Sequence, residues 1–333
     1  MTARSYLKAL VGLSLLVLAA TPSVLADTFY VYANYSIPVS YATGIEGFID
    51  TNGRLGTPGA HYLFVTGGPS YCGDQTAYVY QVTTVGDPNR HPDNPEDPGP
   101  IAPRTFTRRD DLTYFLGNFC NGHDNEYYVD DGGIYYGGTS GFGGIYHWDW
   151  GWANKTLAAP AAPSGTQAMG FDAIAGYWWA GISNRQLYRW RSGMASWQYM
   201  FTHNNLAGSH HDGLEVVNGI LYVSDMTTAR INSYHLDTDG DPIEPPTTPY
   251  QDIIYASTNV VEGFGYGANN HFWISTYGGH SMMELGGGSL IVPTPTPSPT
   301  AGVVPATTST GAIVLIMLLS VSLITFGVNK IRH

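Results

Sequence analysis

The chain has 333 residues, a formal net charge of −12 at pH 7, two cysteines and 13% aromatic residues. All 26 Asp and Glu lie between Asp27 and Glu284, against ten of the 14 Lys and Arg, a net of −16 over that stretch. Such a surface repels nucleic acid and anionic lipid, which excludes a nucleic-acid-binding role and is compatible with cation binding. With 41 glycines and no long amphipathic helical pattern, composition predicts many short strands joined by tight turns.

Residues 1–26 read as a secretory signal peptide. Arg4 and Lys8 precede an apolar run from Ala9 to Ala20, and Pro22 with Val24-Leu25-Ala26 supplies the small-residue cleavage pattern. Residues 27–290 are the expected folded domain. Its first segments, Phe29-Tyr30-Val31-Tyr32 and Ile37-Pro38-Val39-Ser40-Tyr41, have the character of two short strands.

A phrase then recurs: an inner-strand residue, Gly, and a bulky apolar residue. It stands at Glu46-Gly47-Phe48, Met169-Gly170-Phe171, Asp212-Gly213-Leu214 and Glu262-Gly263-Phe264. A degenerate copy, Asp124-Asn125-Glu126-Tyr127, aligns through His123-Asp124 with His211-Asp212. Each copy is followed by a turn and an apolar strand such as Tyr62-Leu63-Phe64-Val65 or Ile220-Leu221-Tyr222-Val223. Starts lie 45, 43 and 50 residues apart from Asp124 onward, and 78 apart between Glu46 and Asp124. Repetition at this period predicts an all-β propeller of about six four-stranded blades, with five and seven left open. The N-terminal strands would complete the ring by pairing with the C-terminal blade, which removes an exposed sheet edge.

Cys72 and Cys120 bracket an irregular, Pro-rich stretch from Asp87 to Asp111. An even count in an exported domain predicts a structural disulfide rather than a catalytic pair.

After the domain, residues 291–311 form a Pro/Thr-rich linker containing Pro293-Thr294-Pro295-Thr296-Pro297. Ala312 to Val328 is an uncharged apolar run at the short end of what spans a bilayer, and residues 329–333 carry Lys330 and Arg332. The basic end would stay cytoplasmic and leave the acidic domain outside. The layout, with Val304-Pro305-Ala306-Thr307 before the helix, is similar to the C-terminal tails of exosortase-type sorting systems. That resemblance implies a sorting enzyme as partner and release or re-anchoring of the domain. A plain membrane anchor fits the same residues.

Residues His211 to Asp237 carry a second resemblance. Asp212-Gly213-Leu214-Glu215, Gly219-Ile220-Leu221-Tyr222-Val223-Ser224-Asp225 and Ile231-Asn232-Ser233-Tyr234-His235-Leu236-Asp237 resemble a blade of the gluconolactonase/regucalcin-like and NHL-like propellers. The first family implies a divalent cation at the channel mouth, held by Glu, Asn and Asp, with the Asp doubling as acid/base in lactone hydrolysis. By motif, Glu46 matches the opening Glu and Asp212 the catalytic Asp. Met169, at a corresponding place, cannot ligate a hard cation.

On chemistry alone, Glu46, Asp124, Asp212 and Glu262 are candidate ligands, because inner strands begin near one axis. Oxygen ligands suit Ca2+ or another divalent cation. Like-charged acids at one place also raise one another's pKa unless a cation stands between them. His123 and His211 keep a nitrogen-containing site open. If instead alternate residues point into the blades, the acids never meet. Asp237-Thr238-Asp239-Gly240-Asp241 has the flavour of a calcium loop but lacks the later bidentate Glu, so it reads as a turn. Tyr146-His147-Trp148-Asp149-Trp150-Gly151-Trp152 reads as blade core, with sugar stacking as the alternative. No nucleophile elbow, phosphate loop, organic-cofactor motif or zinc-protease motif appears.

Two functions follow as expectations. One is a cell-surface propeller serving as a binding, adhesive or structural module for a surface ligand or partner protein. The alternative is a secreted metal-dependent lactonase or esterase with Asp212 as its catalytic base. The linker, the tail and Met169 favour the first.

Overall fold

In the computed structural model the described residues are 30–84, 104–120, 124–138, 142, 144–203, 211–225, 230–245, 247–254, 261–276 and 281–286. The expected signal peptide, Pro/Thr linker, apolar helix 312–328 and basic end lie outside them. Among the described residues no helix is long and apolar enough to cross a membrane.

Strand β1 (Tyr30–Ser36) is followed by a first blade of β2 (Gly44–Asp50), β3 (Ala60–Gly67), β4 (Cys72–Thr84), β5 (Arg104–Arg108) and β6 (Tyr114–Cys120). The second blade is β7 (Glu126–Val129), β8 (Gly133–Gly137), β9 (Ile145–Asp149) and β10 (Ala153–Ala159). The third is β11 (Thr166–Asp172), β12 (Tyr177–Ile182), β13 (Gln186–Trp190) and β14 (Gln198–Thr202). The fourth is β15 (Gly213–Val217), β16 (Ile220–Asp225), β17 (Arg230–His235) and β18 (Gln251–Ile254). The fifth is β19 (Val261–Tyr266), β20 (Phe272–Thr276) and β21 (Ser281–Gly286), and β1 pairs with β21 as its outer strand.

Every blade is antiparallel, and the second, third and fourth are simple four-stranded meanders. The shortest connection, Asn218-Gly219 between β15 and β16, places both residues at positive φ, 52° and 77°. That is the left-handed pair a two-residue hairpin requires, and the reason Asn-Gly stands there.

The inner strands β2, β7, β11, β15 and β19 pack on one another in a ring that closes through β19 against β2. The propeller therefore has five blades among the described residues, not six. The long gap from Glu46 to Asp124 holds a single enlarged blade: the second half of β4 pairs with β5 and its first half with β6. Of the two N-terminal segments, only the first is a strand, and it closes the last blade as expected. Cys72 and Cys120 stand opposite each other on β4 and β6 and form the disulfide.

Five apolar clusters fill the five blade interfaces. Trp148 and Trp152 belong to the one between the first and second blades, so the aromatic run at 146–152 is largely core. Glycine in the repeated phrase answers crowding near the axis. A Cβ on Gly263 would overlap the Thr43 carbonyl, and one on Gly265 the Ile45 carbonyl, because neighbouring inner strands nearly touch.

Candidate metal centre on the propeller axis

Along each inner strand, alternate residues face the preceding and the following blade. Ile45, Met169, Leu214 and Phe264 are buried apolar residues at one such level. Each is paired with an apolar residue of the second strand: Val65, Ala180, Val223 and Ile274. The next residue of each inner strand is Glu46, Gly170, Glu215 and Gly265, opposite Phe64, Trp179, Tyr222 and Trp273. In the second blade Glu126 joins them, with Asn125 before it.

Glu46, Glu126 and Glu215 are 7%, 4% and 4% exposed and each brings a carboxylate oxygen to within 4.8 Å of the other two. Backbone donors reach one oxygen of two of them: Tyr266 N donates to Glu46 Oε1 at 3.3 Å and Val216 N to Glu215 Oε1 at 2.8 Å. Among the described residues, Glu46 Oε2 and Glu215 Oε2 are buried with no hydrogen-bond donor from a neighbouring group. Burial, then the neighbouring carboxylates, holds Glu46 and Glu126 well above the usual carboxylate range. Burial pushes Glu215 up to about 7. A cavity of about 190 Å³, bounded by the trio with Phe48, Tyr128, Phe171 and Tyr266, opens onto them.

This donor set fits a hard divalent cation. It is all oxygen, as Ca2+ and Mg2+ prefer, and among the described residues two of its buried oxygens have no donor from outside the trio. Gly170 and Gly265, at the two remaining axial positions, offer no side-chain ligand, and the cavity adjoins the trio. Gly265 also makes the room: a Cβ there would come within 2.5 Å of Glu46 Oε2.

Of the four acids expected from the repeats, only Glu46 belongs to the trio. Asp124 sits beside it, fully buried, with Oδ2 accepting from Leu214 N at 2.9 Å and Oδ1 from Phe264 N at 3.2 Å. It thereby ties the second blade to the fourth and fifth. Burial raises its pKa while those two N–H groups oppose the rise. Asp212 and Glu262 are buried three residues before Glu215 and Gly265, about 10 Å back along their strands. The sequence phrase aligned Glu46-Gly47 with Asp212-Gly213, but in the fold Gly44 is the counterpart of Gly213. The signal that finds the trio is Gly44-Ile45-Glu46 beside Gly213-Leu214-Glu215, with Asn125-Glu126 as its degenerate copy.

Of the histidines, His123 lies outside the described residues. His211 is buried with its ring 5.7 Å from that of His203, away from the trio. The Asp237–Asp241 segment is a turn. Asp237 Oδ1 accepts from Asp239 N and Asp241 N, both at 2.9 Å. Its outward carbonyls already serve Arg189, whose Nη1 donates to Asp239 O and Gly240 O while Nη2 pairs with Asp241 at 3.0 Å.

Ring and centre together define the class: an all-β, five-bladed propeller with a three-carboxylate axial centre. No protein-family model and no curated protein sequence matches the chain. Solved structures similar to it include a structural genomics protein of unknown function from Bacteroides thetaiotaomicron, at 12% identity and a TM-score of 0.41, over 79% of this chain and 76% of that one. They also include regucalcin, a calcium-binding protein from Agrobacterium tumefaciens, at 12% identity and a TM-score of 0.40, over 76% and 74%. A nidogen/laminin complex follows at 11% identity and 0.39, over 72% and 73%. The expected likeness to regucalcin-like proteins is thus found, and the blade assignment rests on this chain's own strand pairing.

Proposed function

We propose that the chain is an exported, surface-displayed binding module that holds one divalent cation, calcium first, between Glu46, Glu126 and Glu215. The observation that carries this is the convergence of three buried carboxylates, two of whose oxygens meet no donor from outside the trio among the described residues. Three like charges in a dry site repel, and a divalent cation is what reconciles them. The cavity beside the trio then gives a ligand access to the cation. Display rests on the leader at 1–26 and the apolar run at 312–328, with a sorting enzyme acting on the tail.

Binding is favoured over lactone hydrolysis by the place of Asp212. The residue expected as catalytic base is fully buried and is not among those bounding the mouth.

Calorimetric titration with calcium tests the site. Glu126→Gln and Glu215→Gln abolish the binding isotherm, while Asp212→Asn and Glu262→Gln retain it. The opposite pattern would move the site to the start of the inner strands.

A further inference from the structure

A second cavity lies away from the axis, between the second and third blades, with a volume of about 440 Å³. Both blades contribute aromatic rings to it: Tyr128 and Tyr135 from one, Phe171, Trp178 and Trp190 from the other. The rings hold one another in place, Tyr128 against Phe171 at 4.1 Å between centroids and Phe171 against Trp178 at 4.9 Å. Tyr135 packs on His147 at 4.4 Å. Asp130, His147, Thr156 and Ser192 add polar groups to the lining. Asp130 is held in place at the turn, its Oδ1 accepting from Gly132 N at 2.7 Å and Gly133 N at 3.0 Å.

We propose that this interblade cleft binds one uncharged pyranose ring of a glycan. Its size falls in the range of small-molecule sites, about 300–1,000 Å³. A sugar ring has an apolar C–H face that packs on aromatic rings and a rim of hydroxyls that both donate and accept. The lining matches that division: five aromatic rings, with one carboxylate, one imidazole and two hydroxyls beside them. Among the described residues no Lys or Arg lines the cleft, and Asp130 together with the chain's net charge of −12 disfavours an anionic ligand. Tyr128 and Phe171 also border the axial mouth, so they form the wall between the cleft and the cation centre. The cleft takes no side chain from the trio, and its binding stands apart from the cation.

Intrinsic tryptophan fluorescence reports on it through Trp178 and Trp190. The full chain is titrated with the methyl glycosides of glucose, galactose, mannose and N-acetylglucosamine, and with glucuronate. The expected result is saturable binding of at least one neutral glycoside, unchanged by EDTA and absent for glucuronate. Tyr135→Ala weakens it about tenfold. Ser192 is exposed, so Ser192→Trp fills the cleft without disturbing the fold and abolishes binding. The proposal is overturned if no neutral glycoside saturates, if only glucuronate binds, or if Ser192→Trp leaves the affinity unchanged. Retained glycoside binding with no calcium isotherm would sink the axial reading alone.

Discussion

Around the axis, three inner strands carry Glu where the other two carry Gly170 and Gly265. Side-chain size there decides whether the carboxylates have room. Gly265→Ala would drive a methyl group into Ile45 O and Glu46 Oε2. The expected cost is about 1–3 kcal/mol of overpacking, read by denaturant unfolding, together with weaker calcium binding. Protonation gives a second test at this scale. Because burial raises the pKa of all three carboxylates, and neighbouring carboxylates add to it for Glu46 and Glu126, the cation-free folded chain holds protons that the unfolded chain releases. The stability these groups supply is therefore present below about pH 4.5 and lost as pH rises through the folded values, about 7 for Glu215. Melting temperature in EDTA should fall between pH 5 and 8, and Glu46→Gln should flatten the slope. A profile that rises over that window would contradict the raised values.

Strand β1 closes the propeller against β21, and a buried polar cluster fastens the junction. Glu284 accepts from Arg104 Nη2 at 2.9 Å and Tyr35 Oη at 2.8 Å, and pairs with His271 Nδ1 at 2.5 Å. The groups come from β1, β5 and β21 and from the residue before β20, so the cluster joins the fifth blade to the first. Burial pushes Glu284 up, but hydrogen bonds from His271 and Arg104 outweigh it and hold its pKa below the usual value. The sign is the reverse of the axial trio. This stability is present above about pH 4.5 and lost as pH falls through the depressed folded value. Arg104→Met leaves Glu284 buried without its guanidinium partner and should cost about 3–5 kcal/mol in chemical unfolding. The disulfide is the other fastening. It closes a separation of 48 residues, and Cys72→Ser with Cys120→Ser should cost about 4 kcal/mol by loop entropy.

For the molecule as a whole, strand chemistry was legible because short apolar runs and Gly-bearing turns are local. The phrase around Glu46, Met169, Asp212 and Glu262 marked four inner strands, and His123-Asp124 led to the fifth. Two features were not local. The blade count depended on whether β4 serves one partner strand or two, which only the pairing of β6 with its first half decides. The site depended on a three-residue offset between Gly47 and Gly213. Both are glycines under crowding, but one follows the axial position and the other precedes it. Glu126 was hidden further, since its strand carries Asn125 where the others carry an apolar residue.

The central claim is that a cation between Glu46, Glu126 and Glu215 completes the ring. Its most direct test is the melting temperature of the 27–290 propeller at neutral pH, in excess calcium and in EDTA. At a calcium concentration about 100-fold above the dissociation constant, binding adds about 2.7 kcal/mol, or about 5–10 °C for a domain of this size. That shift should vanish in Glu215→Gln and survive in Asp212→Asn. Identical melting with and without the chelator would contradict the axial centre and leave the three glutamates as buried, protonated side chains.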